Sequence, residues 1–253
     1  MMENEPPVSE SEQKLRMQYH ELAQLSGSLA HEIKNPLSVI RMNMDLLAED
    51  LEEAETPRER RVRNKIDVVH RQCLRLENIL NDFLKFARLR QLDLKPGSLN
   101  RQIETVLDLF EPQARENQVD VLRYFDEDLP MILLDAETLQ AALVNLVKNA
   151  LEAMPDGGQL LARTRITRNG VALDLIDDGE GIEDSVALNM FSAFYSTKDG
   201  GTGLGLPTAR KIIEAHGGRI GVQSQVGAGT QFTLEFATPH RLAGKRPTGE
   251  MPL

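Results

Sequence analysis

Val171-Ala172-Leu173-Asp174-Leu175-Ile176-Asp177-Asp178-Gly179-Glu180-Gly181 decides how the second half of this chain folds. Its first seven residues read as a strand, and strand periodicity puts Val171, Leu173, Leu175 and Asp177 on one face and Asp178 on the other. Asp177 thus closes an apolar row in a partly buried place, where an ionised carboxylate needs hydrogen-bond donors. The exocyclic amino group of adenine is a suitable donor. Gly179 and Gly181 then let the backbone turn closely past a flat base.

Working outward, Gln159–Thr167 supplies the partner of a hairpin around Arg168-Asn169-Gly170. Asp135–Met154 reads as a helix opening on Asp135 as its N-cap. Leu99–Arg115 is expected to be helical, and Gln118–Phe125 and Met131–Leu134 strands. After the Gly-rich stretch Asp178–Gly205 comes a helix ending at Ala215-His216-Gly217-Gly218. Strands Arg219–Gln223 and Gly229–Phe236 flank a turn at Val226–Gly229. This order predicts an α+β sandwich with helices packed on one face of a mixed sheet.

The character changes near Lys95-Pro96-Gly97. Upstream, Leu22, Leu25, Leu29, Ile33, Leu37, Ile40, Met44, Leu47 and Leu51 recur at three- and four-residue steps. Beyond the polar break Glu55-Thr56-Pro57-Arg58 the rhythm resumes at Val62, Ile66, Val69, Cys73, Leu76, Leu80, Phe83 and Phe86. Such narrow stripes are bundle seams. Two helices joined by a turn form an antiparallel hairpin, and one hairpin cannot cover both stripes. Two are expected to pair into a four-helix bundle, making a homodimer. A purely structural dimerisation hairpin is the plainer alternative. The expected organisation is a polar tail at 1–16, the helical hairpin at 17–95, the sandwich at 96–238 and a tail at 239–253.

The 253 residues carry a formal charge of −10, which argues against a general affinity for nucleic acid. No apolar run approaches the roughly 18 residues needed to span a bilayer. The acidic start MMENEPPVSESEQK is unlike a signal peptide, so a cytoplasmic location is expected. The single cysteine, Cys73, excludes an internal disulfide and lies at an apolar helical position, as a buried thiol would.

His31 lies two residues from both Leu29 and Ile33, so it points about 160–200° away from the seam, into solvent. An outward histidine is commonly only a surface residue. Here Glu32 can hold one imidazole nitrogen and leave the other free as a nucleophile. Asn35 lies one turn on along the same face. Pro36 takes the helical partner from the Glu32 carbonyl, so a kink is expected. His20 and His240 sit near loose ends and His70 has no comparable polar neighbours. His216, at a helix C-terminus, reads as a residue favoured there by the dipole.

On Asp135–Met154, Asn145 and Asn149 share a face, which could simply be solvated. They precede Phe191–Lys198 and Gly200-Gly201-Thr202-Gly203-Leu204-Gly205-Leu206, a Gly-rich loop opening a helix whose free N–H groups suit phosphates. Lys198 adds a mobile cation. The loop is neither a Walker motif nor a dinucleotide fingerprint.

His31-Glu32-Ile33-Lys34-Asn35-Pro36 resembles the H-box of sensor histidine kinases with the common dimerisation domain. Asn145 to Asn149, Asp177 to Gly181, Phe191 to Lys198, Gly201 to Gly205, and Val226 to Phe232 resemble, in order, the N-box, first glycine box, F-box, second glycine box and last glycine box of their ATP domain. The Phe194-Tyr195-Ser196-Thr197-Lys198 lid is closest to nitrogen-regulation-type kinases. The resemblance covers roughly residues 20–237. It implies the Bergerat ATP-binding sandwich shared with gyrase, the Hsp-ninety chaperones and mismatch-repair ATPases. It further implies that His31 is the phosphoacceptor, Glu32 the general base, and Asn35 a water-positioning group for dephosphorylating the partner. Asn149 would ligate Mg, Asp177 read adenine with Thr230 beside it, and Lys198 with Gly201–Gly205 close over the phosphates. The implied partner is a response regulator with a receiver domain. Input would come from an upstream sensor protein or from a sensory domain outside this chain.

In the ATPase relatives a Glu one turn before the magnesium Asn activates water; this chain has Asn145 there, which is no base at neutral pH. Glu152 continues the same face with an open role. Two alternatives remain: a Bergerat ATPase switch merely dimerised by its hairpin, and a phosphotransfer scaffold that does not label itself. Asn145 and the His31 motif oppose the first. The intact asparagines and glycines oppose the second.

Overall fold

The structure, a computed structural model, describes residues 32–51, 56–87, 92–198 and 201–238. His31 lies outside the described residues, as do both tails, His20 and His240. Two compact units form. One holds the helical residues with Lys198 and Gly201–Leu204. The other holds 92–197 and 205–238.

In the helical unit, α1 is helical over 32–49, unbroken through Pro36, and α2 spans Pro57–Ala87. The Arg41–Glu77 ion pair (3.5 Å) and the Asp45–His70 contact (3.2 Å) tie them together. Numbers rise on one helix as they fall on the other, so the two run antiparallel. His70 therefore does have a polar partner, which comes from the opposite helix. The break expected around 55–58 is partly helix. Thr56 Oγ1 accepts the Glu59 N–H (3.2 Å), and Glu59 Oε2 accepts the Thr56 N–H (2.9 Å). This is a reciprocal capping box with Pro57 at the first helical position, where a missing N–H costs nothing. Leu37, Ile66 and Cys73 of the seams are buried, while Ile33, Ile40, Leu47, Val62, Val69 and Leu76 stay exposed at 40–50%. Three described residues of each stripe thus stay in water in one chain.

The second unit contains β1 (Lys95–Gly97), α3 (Leu99–Glu116), β2 (Val119–Tyr124), β3 (Ile132–Leu134), α4 (Ala136–Glu152), β4 (Gly158–Thr167), β5 (Gly170–Asp177), α5 (Asp184–Ala187), α6 (Gly205–Ala215), β6 (Arg219–Gln225) and β7 (Gly229–Ala237). Five strands make one sheet in the order β2-β4-β5-β7-β6, with β2–β4 parallel and the other pairs antiparallel. β1 and β3 form a separate two-stranded sheet. The sequence signalled neither β1, which contains Pro96, nor the short α5.

Helices α3, α4 and α6 cover one sheet face. Leu99, Ile103 and Leu107 of α3 and Leu139, Leu143, Leu146 and Leu151 of α4 are buried with Leu160, Leu173, Leu175 and Leu234 of the sheet. Burial of one such side chain is worth about 1.5–3 kcal/mol, so this layer sets where the helices lie. On the open face Asp174 is fully buried, accepting from Arg163 (2.9 Å), Arg165 (3.0 Å) and Thr233 (2.9 Å). Burial pushes its carboxyl up, and these partners outweigh that and hold it below the usual carboxylate range. No helix among the described residues is long and apolar enough to cross a membrane.

Candidate nucleotide site

The site grows from the end of β5. Asp177 is 4% exposed, and its Oδ1 accepts the N–H groups of Gly179 (3.1 Å) and Thr230 (3.2 Å). Protein amides therefore supply donors that the sequence reading sought from a ligand alone. The backbone must crowd this carboxylate. Gly229, at φ +92°, lies so close to the Asp177 carbonyl that a Cβ would collide with it.

The segment Gly179–Ile182 is stitched to its surroundings at every step. A Cβ on Gly179 would strike Ala153, the C-cap of α4, whose carbonyl also accepts the Glu180 N–H (3.1 Å). Gly181, at φ +71°, presses on the Gln225 backbone. Glu180 O accepts the Gly227 N–H (2.8 Å), and Ser224 Oγ accepts the Ile182 N–H (2.8 Å). The first glycine segment thus joins the end of α4 to the β6–β7 turn.

Ser224 is a residue the sequence reading missed. Its one proton goes to the Gly229 carbonyl (2.9 Å), so the 2.9 Å bond to Thr230 Oγ1 has Thr230 as donor. Thr230 Oγ1 keeps its acceptor lone pairs, in the strand register directly opposite Asp177. Two acceptors are thereby grouped. The available signal was phase: Ser224 occupies the inward position in line with Ile220 and Val222.

Asn145 and Asn149 are both half-buried on α4, one turn apart, and a Cβ on Gly205 would lie 3.7 Å from the Asn145 amide. Glu152 lies 3.7 Å from Lys148. No group of three or more His, Cys, Asp or Glu among the described residues could hold a metal. A cation here would take neutral amide oxygens and find its other ligands in phosphate and water, and retained waters and substrate phosphates are the habit of Mg2+. The residues present fit that ion.

The structure thus brings together Asn145 with Gly205, and Asp177 with Gly179 and Thr230, with Gly181 fastened to the adjacent turn. Lys198, Gly201, Thr202, Gly203 and Leu204 belong to the helical unit instead. There Thr202 Oγ1 donates to Asp82 Oδ2 (2.9 Å) and accepts the Leu204 N–H (3.3 Å). Glu32 and Asn35 are exposed on α1.

Residues 21–92 match the family model of the His Kinase A (phospho-acceptor) domain. Residues 134–240 match that of the histidine kinase-, DNA gyrase B-, and HSP90-like ATPases. Sporulation kinase A of Bacillus subtilis (strain 168) is 35% identical over 84% of this chain and 34% of its own length. The catalytic domain of histidine kinase ThkA is 32% identical, covering 58% of this chain and 97% of that one, with a TM-score of 0.54. ThkA solved in complex with response regulator protein TrrA matches 92% of this chain and 68% of that one at 27% identity and a TM-score of 0.65. The chain spans about a third to a half of the length of the curated relatives it matches.

Proposed function

The chain belongs to the sensor histidine kinase family, and on that premise we propose that it phosphorylates its own His31 from Mg-ATP and passes the phosphoryl group to a receiver aspartate. Asn145 carries the reading. An amide stands one turn before Asn149, where a hydrolase needs a base, and Glu152 lies beside Lys148. A site that holds nucleotide without activating water suits a nucleophile brought from elsewhere.

Asp177 and Thr230 accept from the adenine amino group. Asn149, with Asn145 beside it, would hold the metal, and Lys198 with Gly201–Gly205 would serve the phosphates. When bound there, Mg2+ would supply charge neutralisation on the phosphates. Glu32 holds the proton on one nitrogen of His31 while the other attacks the γ-phosphorus. The bond to the β-bridging oxygen breaks and ADP leaves. Transfer to a carboxylate oxygen of the partner then regenerates the imidazole. A response regulator is the partner that the ThkA–TrrA complex supports by analogy, and a need for ATP suits a cytoplasmic setting. The test is to label the purified chain with γ-labelled ATP and add an isolated receiver domain. Label should leave the chain and appear on the receiver; a chain that never takes label rejects the proposal.

The half-exposed seams of α1 and α2 require a second copy, so the chain should sediment as a dimer at micromolar concentration. A monomer there would count against the bundle. Asn35, exposed a turn beyond the acceptor, has an amide able to hold a water in line with an aspartyl phosphate. Asn35→Ala should retain self-labelling and slow dephosphorylation of the partner about tenfold, the loss of one positioning group. Decay of isolated phospho-receiver in ADP checks this, and an unchanged rate would leave Asn35 a solvated helix residue.

A further inference from the structure

Helices α4 and α6 run antiparallel, and both ends of α6 lie against α4 or its cap. At one end Gly205, which opens α6, stands against Asn145. At the other, His216 follows α6 directly and meets Asp135, the N-cap of α4. His216 is 8% exposed. Its Nε2 lies 3.1 Å from the Asp135 backbone nitrogen, and its Nδ1 2.8 Å from the Ile212 carbonyl oxygen. A backbone N–H only donates, so Nε2 accepts, and the proton sits on Nδ1 facing the carbonyl. The imidazole thus clamps the two helices through both ring nitrogens, a contact that its place at a helix end did not announce. The helix end holds the ring in place: Gly218 N–H donates to Ile213 O (2.9 Å) and Gly217 N–H to Glu214 O (3.0 Å), with Gly217 at φ +72°.

Asp135 ties in more of the unit. Its Oδ1 accepts the Thr138 N–H (3.1 Å), and its Oδ2 accepts the N–H of Asp93 (3.1 Å), just before β1. One residue thus joins the start of α4, the end of α6 and the segment entering β1.

We propose that His216 is a positioning residue for the nucleotide site, setting the register of α6 against α4 and so the place of Gly205 beside Asn145. This deepens the nucleotide reading above and rests on it. The lever is rigid: α6 has 11 residues, about 16 Å at about 1.5 Å each. Slippage at His216 is carried along the helix axis to Gly205. Without the ring, the Asp135 N–H loses its acceptor, and a buried donor seeks another by shifting the helix.

The test measures binding of a non-hydrolysable Mg-ATP analogue to the full chain, at a temperature where each variant is folded. H216L should bind about five- to tenfold more weakly, the value of one hydrogen bond, and H216Q, whose amide oxygen can accept from Asp135, within about twofold of wild type. Wild-type affinity in H216L, or equal losses in H216L and H216Q, overturns the proposal. If H216L does not fold, the wild-type chain decides the matter, because coupling is reciprocal. The analogue should slow amide exchange at Asp135 beyond the slowing shared by core amides of β5 such as Leu173. An Asp135 amide that responds no more than those overturns the role of His216. A wild-type chain that binds no analogue overturns the nucleotide reading itself, and this proposal with it.

Discussion

His31→Gln brings incorporation of γ-labelled phosphate down to background while leaving the affinity for Mg-ATP unchanged. Gln keeps the polarity and much of the bulk of His but has no basic ring nitrogen, and its amide nitrogen is no nucleophile. The residues grouped around Asp177 and Asn145 lie in a different compact unit from the helix that follows His31. Removing the nucleophile therefore takes nothing from the adenine and metal contacts, and none of the residues proposed for the phosphates is changed. Labelling and calorimetry on the same preparation read both quantities. Acid-labile label surviving in the variant would move the acceptor to another histidine. Lost affinity would mean that the nucleotide residues sense position 31.

Asp177→Asn carries the second large effect. The carboxylate is 4% exposed and already accepts two backbone N–H groups. Replacing it removes a charge-assisted acceptor for the adenine amino group and turns an NH2 group toward donors. A hydrogen bond to a charged group is worth about 1.5–3 kcal/mol, so ATP affinity should fall about ten- to a hundredfold. The loss should appear as weaker binding by calorimetry, with a lower thermal midpoint because the Gly179 and Thr230 amides lose a charged partner. Unchanged affinity in a folded variant would reject Asp177 as the base-reading group.

Local chemistry made most of the fold legible. Asp135 caps α4 through Thr138, the hairpin turns at Arg168–Gly170, and the apolar phase of β5 buries Asp177. These features act within a few residues and leave their mark in composition and spacing. Features that depend on partners distant in sequence left none. Gly97 pairs with Ile132 in β1–β3. Asp174 reads as one more strand residue until Arg163, Arg165 and Thr233 converge on it. His216 looks like any histidine at a helix end, because its partner is 81 residues away. The Thr56–Glu59 capping box differs in kind, since its spacing was present and the Thr-Pro pair was read as a break.

Whether phosphate from ATP comes to rest on a histidine is the point on which everything turns. The direct measurement labels the full chain with γ-labelled ATP, tests the bond in acid and in alkali, and maps the label by peptide. The account predicts a label lost in acid, stable in alkali and confined to the peptide that holds His31. An acid-stable label, or ATP hydrolysed with no label on the chain, would contradict it.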